Sequence, residues 1–302
     1  MKKWIKAVLL IAALAVIMKA IWYLNPEAQD ERGDQPQITL YLSESDKRVS
    51  LTMEEYITGT VAAEMPASFS SEALKAQAVC ARTYALNRLV NDIKYEKDAD
   101  LSDDITCCQA YVTPGEFSKR HPSNTDEYLK KMQQAVRDTR GVIMLYQGAP
   151  LDALYCSTCG GKTEEGGNQR PYLKGVSCSF CSLSPRYLNS QSFSGIQLRR
   201  VLGLQGDIRI KVLGTSSSGR IKQVRINNRT LSGEQLRSAL GLYSTWCSFK
   251  NDGDGLIITS RGYGHGIGLC QFGANGMAQA GYDYRQILHY YYQGFELYRL
   301  PY

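Results

Sequence analysis

The sequence predicts an α+β protein: an N-terminal membrane anchor, then a mixed α/β ectodomain with a helical hairpin and a small inserted α/β subdomain. Three observations predict this. A lysine-flanked apolar run occupies residues 7–24, and two helical patterns meet at a proline inside Thr52–Leu86. Short strand-like runs then alternate with helical stretches over the rest of the chain. At 302 residues there is ample core for one large or two modest domains.

The first element is the anchor, 1–24. Lys2, Lys3 and Lys6 precede an apolar run from Ala7 to Met18, and after Lys19 it continues to Leu24. Ala7 to Leu24 is just long enough to span a bilayer. The leading lysines put the N-terminus in the cytoplasm, and Trp22 and Tyr23 suit the far interface. The alternative is a cleaved signal peptide, but no A-x-A site follows the apolar run. The net charge is +6, of which the four lysines of residues 1–24 carry +4, leaving +2 for the rest. With no clustered basic stripe, that balance argues against nucleic acid as a partner. Residues 25–37, NPEAQDERGDQPQ, read as a polar tether.

The ectodomain opens with two strand-like runs, ITLYL and RVSLT. Thr52 with Glu55 forms a capping box, so a helix should begin at about Met53. Pro66 disfavours helical backbone at Met65, so it should stop close to Glu64. Ser70 or Ser71 caps a second helix, whose Leu74, Ala78, Ala81 and Ala85 mark a buried stripe. Further on, 124–139 reads as a helix stopped by Gly141, and VIMLY and LDALY as a strand pair around the turn QGAP. Residues 190–259 change texture: a helix near IQLRRVLGL, a hairpin in IRIKVLGTSSSGRIKQVRIN and a helix in LSGEQLRSALG. They are expected to form the inserted subdomain, leaving 38–189 and 260–302 as the main body.

Glu64 sits at the elbow of the hairpin among Val61, Ala62, Ala63, Met65 and Pro66. Desolvation there would raise its pKa and let it donate a proton to a leaving oxygen. Lys75 and Arg82 lie two helical turns apart, so both can point out of one face toward the elbow. On these residues alone, a helix-end glutamate with two solvated cations is the favoured reading, because perturbed acids are rarer than surface ones. Near the C-terminus, GYGHGIGLCQFGANG is dense in glycine but carries no phosphate-cradling G-x-x-x-x-G-K-[ST]. Its glycines let backbone approach a ligand, while His265, Gln271 and Tyr263 offer the polar groups and stacking ring that suit a sugar.

Of nine cysteines, Cys156, Cys159, Cys178 and Cys181 form C-x2-C, eighteen residues, C-x2-C. That spacing is expected to hold a structural zinc, or else disulfides stapling the same loops. Cys107 and Cys108 are adjacent and awkward as a ligand pair; Cys80 and Cys247 read as buried small hydrophobes.

The string VAAEMPASFSSEALKAQAVCARTYAL, residues 61–86, resembles the core signature of the stage II sporulation protein D family, and SRGYGHGIGLCQFGANG, 260–276, resembles its C-terminal signature. YCSTCGGKT at 155–163 and PYLKGV at 171–176 are similar to family segments in the same order. The resemblance implies a membrane-anchored peptidoglycan lytic transglycosylase in which Glu64 is the one catalytic acid and base. It places Lys75, Arg82, Tyr155, Tyr172, Lys174 and His265 as glycan contacts. No cofactor is implied for catalysis. Implied partners are glycan strands stripped of stem peptides and an amidase resembling stage II sporulation protein P. The implied setting is the mother-cell membrane facing the engulfment space. Family relatives called amidase enhancers give a second, non-catalytic reading, and catalysis by a metal at the cysteines is a third. Where the family more often carries Tyr-His-Ser-x-Ser-Gly-Gly, this chain has Cys156 and Cys159.

Overall fold

The computed structural model describes residues 35–302, so the expected anchor and most of the expected tether lie outside the described residues. Among the described residues no helix is long and apolar enough to cross a membrane. The chain clusters into two compact units, one built chiefly from the N-terminal half and one from residues 154–282 and 286–293.

In the first unit, β1 (Gln37–Leu42) and β2 (Lys47–Thr52) form an antiparallel hairpin that runs directly into α1 (Met53–Glu64). The Thr52–Glu55 capping box is formed, and α1 ends where Met65 turns extended before Pro66. The second helix, α2 (Ser71–Val90), buries Leu74, Ala78, Ala81 and Ala85 completely. Small side chains on that stripe let neighbours approach closely, and α1 packs against it. A short β3 (Leu101–Ser102) pairs in parallel with β1. After α3 (Pro114–Arg120), α4 (Thr125–Asp138) lays Met132, Ala135 and Val136 across α1 and α2. Then β4 (Val142–Tyr146) turns through Gln147 and Gly148, both at positive φ, into β5 (Ala149–Pro150). The strand expected over LDALY does not form: β4 pairs instead with Ala149 and Pro150, inside the expected QGAP turn, and of residues 151–155 only Tyr155 lies in a strand.

In the second unit, β6 (Tyr155–Cys156) precedes β7 (Leu188–Phe193), α5 (Gly195–Leu202), β8 (Ile210–Thr215), β9 (Ile221–Ile226), β10 (Arg229–Ser232) and α6 (Gly233–Leu240). It continues with β11 (Cys247–Asp252), β12 (Gly255–Arg261), β13 (Leu269–Cys270) and α7 (Gln271–Gln279). Two antiparallel sheets result, ordered β10-β9-β8 and β11-β12-β7. Their apolar faces and the two helices share a core of Leu198, Val224, Ile226, Leu236, Leu256 and Ile258. The expected helices and hairpin over 190–259 are present. A separate two-residue parallel ladder joins β13 to β6. After α8 (Tyr284–Tyr291), β14 (Glu296–Arg299) returns to the first unit as the antiparallel neighbour of β4.

Candidate functional site

Glu64 is the last residue of α1, half-buried. A carboxylate at a helix C-terminus faces the negative end of the helix dipole, so helix stability does not account for it. The segment Gln109–Val112 accounts for its position by running along α1. Gln109 donates to the Tyr56 hydroxyl at 2.9 Å, and the Ala110 N–H donates to Glu64 Oε1 at 2.9 Å. Tyr111 stacks parallel to Tyr56 with ring centroids 5.9 Å apart, and the Val112 N–H donates to the Gly59 carbonyl at 3.3 Å. Gly59 is required for this docking: a Cβ there would lie 2.3 Å from the Tyr111 ring. The Ala110 amide was invisible in the sequence, because a backbone donor carries no residue signature.

Three other carboxylates of this unit, Glu54, Glu55 and Glu72, are committed to structural bonds. Glu55 closes its capping box, and the Thr52 amide and hydroxyl hold its pKa below the usual carboxylate value. Glu54 takes a bidentate pair from Arg82, Nε to Oε1 at 2.9 Å and a terminal nitrogen to Oε2 at 2.6 Å. Glu54 Oε1 also accepts from the Gly141 amide at 3.2 Å and the Tyr302 hydroxyl at 2.9 Å. Lys75 lies between Glu72 at 2.8 Å and Asp138 at 3.0 Å.

These contacts revise the expected cation pair. Lys75 and Arg82 do not both point out to solvent. Lys75 is partly exposed inside an ion triad, whereas Arg82 is fully buried and also donates to the Val142 carbonyl at 3.0 Å. The reason is Glu54, one helix away: a buried guanidinium with a bidentate carboxylate and a carbonyl is satisfied in the core. Arg82 ties α1, α2 and the start of β4 together.

The other expected glycan contacts belong to the second unit. Tyr155 is half-buried on β6, Tyr172 buried and Lys174 exposed. His265 is half-buried, and its Nδ1 accepts from the Ile267 amide at 3.0 Å, so a neutral ring carries its proton on Nε2. It lines a cavity of about 480 Å³ with Glu164, Ser216, Arg220 and Lys222. Glu164 accepts from the hydroxyls of Ser216 and Ser218, and Arg220 donates to the Cys159 carbonyl at 2.7 Å. Gly266, at φ +78°, has no room for a Cβ because the Arg220 guanidinium fills that place. Thus the glycine-rich loop is close-packed over an arginine as well as lining a cavity.

No cysteine is joined to another by a disulfide. The structure gathers Cys159, Cys178, Cys181 and Cys270, all buried, with sulfurs within 4.8 Å of one another, a group able to hold a metal ion. Three of the four expected ligands are therefore together, and the fourth place is taken by Cys270, not Cys156. Cys156 is buried beside Cys270 in the β6–β13 ladder but lies outside the four-sulfur group. Sequence spacing missed Cys270 because it is far along the chain, inside the glycine-rich signature; its place there was the only available hint.

The family model described as "Stage II sporulation protein" matches residues 41–146. "Stage II sporulation protein D" of Bacillus subtilis (strain 168) is 35% identical over 278 residues, covering 89% of this chain and 81% of that protein. The protein of the same name from Bacillus amyloliquefaciens is 34% identical over 268 residues, covering 86% of this chain and 78% of that protein. "Amidase enhancer" of Bacillus subtilis is 28% identical over 301 residues, covering 79% of this chain and 39% of that protein.

Proposed function

The chain belongs to the stage II sporulation protein D family, and on that premise we propose that it is a peptidoglycan lytic transglycosylase with Glu64 as its acid and base. The observation that supports this most is Glu64 itself. It is a partly exposed carboxylate, set against the helix dipole and positioned by the Ala110 amide, while Glu54, Glu55 and Glu72 of the same unit serve structural bonds. Hydrolysis of a glycosidic bond ordinarily uses two carboxylates, one of them to activate water or attack the sugar. An intramolecular transglycosylation uses one. Glu64 protonates the oxygen between N-acetylmuramic acid and N-acetylglucosamine as the bond to C1 breaks. The resulting carboxylate takes the proton of the muramoyl C6 hydroxyl, whose oxygen closes onto C1 as a 1,6-anhydro ring. Proton and bond counts balance without water, and the carboxyl ends as it began.

In this reading Tyr155, Tyr172, Lys174 and His265 contact glycan through the second unit, and the four-thiol group takes no part in the reaction. The expected setting is wall remodelling during sporulation. Residues 1–24 would anchor the chain in the cell membrane, and an amidase would supply strands stripped of peptide. The relative named amidase enhancer favours a second reading, in which the domain grips glycan and stimulates an amidase without cutting.

One experiment separates them: mass spectrometry of denuded glycan strands digested with the full-length protein, wild type beside Glu64→Gln. The expected result is anhydro-muramoyl ends from wild type and a loss of about 10²–10⁴-fold in the variant, the usual worth of a general acid–base group. Reducing ends would mean hydrolysis with a second carboxylate. Absence of cleavage by wild type, with glycan binding and amidase stimulation intact, would replace the transglycosylase reading by the enhancer one.

A further inference from the structure

We propose that Cys159, Cys178, Cys181 and Cys270 bind one zinc(II) ion as a structural tetrathiolate, and that this ion pins the glycine-rich segment to two turns of the second unit. The argument begins with distance. The sulfurs of Cys159 and Cys181 are 3.6 Å apart. A disulfide needs about 2.05 Å, whereas four sulfurs about 2.3 Å from a tetrahedral zinc are about 3.8 Å from each other. With every sulfur of the group within 4.8 Å of the rest, the arrangement has the size of a metal cage.

Surrounding groups point the same way. The Cys159 amide donates to Cys270 Sγ at 3.2 Å and the Gly273 amide donates to it at 3.3 Å. Cys270 also caps the N-terminus of α7, where a negative charge is favoured. The Tyr291 hydroxyl lies 3.2 Å from Cys178 Sγ and would donate to a thiolate there. Such outer donors spread the charge of a metal-bound sulfur and orient it. Gly273 is shaped for the purpose: a Cβ on it would lie 2.6 Å from Cys178 Sγ.

Four buried thiols at this separation have little to gain from one another without a cation. Burial away from water disfavours an uncompensated thiolate. A bound dication reverses the burial effect and lets all four ionise. Tetrahedral all-sulfur sites select zinc or iron; zinc matches a single ion with no open position and no redox duty.

The ligands come from three segments: the turn after β6, the turn at 178–181, and β13 at the end of the glycine-rich loop. That loop is already tied to the first turn, since the Tyr263 amide donates to the Thr158 carbonyl at 2.7 Å and the Phe272 amide to the Ser157 carbonyl at 3.0 Å. The ion therefore fixes the base of the loop that carries His265. It does so whether or not Glu64 cuts glycan.

The test is metal analysis of the full-length protein purified under reducing conditions, with the cobalt(II)-substituted absorption spectrum and the sulfur coordination number from zinc X-ray absorption. We expect equimolar zinc, an all-sulfur first shell and the intense thiolate-to-cobalt bands of a tetrahedral site. Cys270→Ser should lose most of the zinc and the bands, whereas Cys156→Ser keeps both. Should Cys270→Ser fail to fold, the wild-type coordination number and the Cys156→Ser zinc content still decide. Zinc lost from Cys156→Ser but retained by Cys270→Ser would overturn the ligand set. Iron, disulfides in freshly purified protein, or zinc with a non-sulfur ligand would overturn the site as proposed.

Discussion

Arg82 shows how one residue changes meaning when its surroundings become known. Its spacing from Lys75 suggested two cations on one face toward the elbow, which the family resemblance made glycan contacts, yet its guanidinium is fully buried on Glu54 and the Val142 carbonyl. Removing one partner of such a pair leaves the other charge buried and unmatched, which costs about 3–5 kcal/mol. Arg82→Ala is therefore expected to lower unfolding stability by that order, measured by denaturant titration. Its affinity for glycan, measured under conditions where it remains folded, should stay near wild type; a stable variant with lost affinity would return Arg82 to the groove.

At the scale of elements, α1 and the segment Gln109–Val112 form the device that positions Glu64. The segment contributes an amide to the carboxylate, a ring to the face over Gly59, and another amide to the Gly59 carbonyl. Taken alone, α1 would gain roughly 1 kcal/mol from alanine in place of an interior glycine. Against the Tyr111 ring, that methyl group has no room. Gly59→Ala is expected to displace Tyr111 and with it the Ala110 donor. Cleavage of denuded glycan should then fall at least ~10-fold, the scale of a small misplacement of a catalytic group, while far-ultraviolet circular dichroism is unchanged. Unchanged cleavage would mean that the segment does not position the carboxylate. Elsewhere the elements follow their local signals closely. Capping boxes open α1, α3, α5 and α6, and left-handed glycines, Gly203 and Gly241, close α5 and α6.

Across the whole molecule, depressed carboxylates set how stability depends on pH. Backbone and hydroxyl donors from Thr52 and Thr113 hold Glu55 and Glu116 low, and Lys75 does the same for Asp138. A group whose folded pKa lies below its unfolded value binds fewer protons when folded, so its stabilisation is present above the unfolded value. That stabilisation is lost as pH falls through the folded value. The thermal midpoint should thus be level from neutral pH down to about 5 and fall steadily below about 4, the range of unfolded carboxylates. A midpoint that rises on acidification over that range would contradict the assignment. A zinc ion at the proposed site would add to this fall, because protons compete with the metal for its thiolates.

Local chemistry in the sequence was enough for the hairpin: Thr52, Glu55 and Pro66 delimit α1, and the alanine stripe gives α2 its buried face. It was enough too for the family, since the two long signatures lie in contiguous strings. Short-range signals of this kind survive in sequence because caps, turns and periodicity act over a few residues. Three matters were settled only by the tertiary structure: the burial of Arg82, the Ala110 amide on Glu64, and Cys270 joining Cys159, Cys178 and Cys181. Each depends on a partner remote in the chain. Glu54 lies on another helix from Arg82, Ala110 is 46 residues from Glu64, and Cys270 is 111 from Cys159. Spacing reports which residues can share a turn; which strands and helices bring distant side chains together is decided by packing.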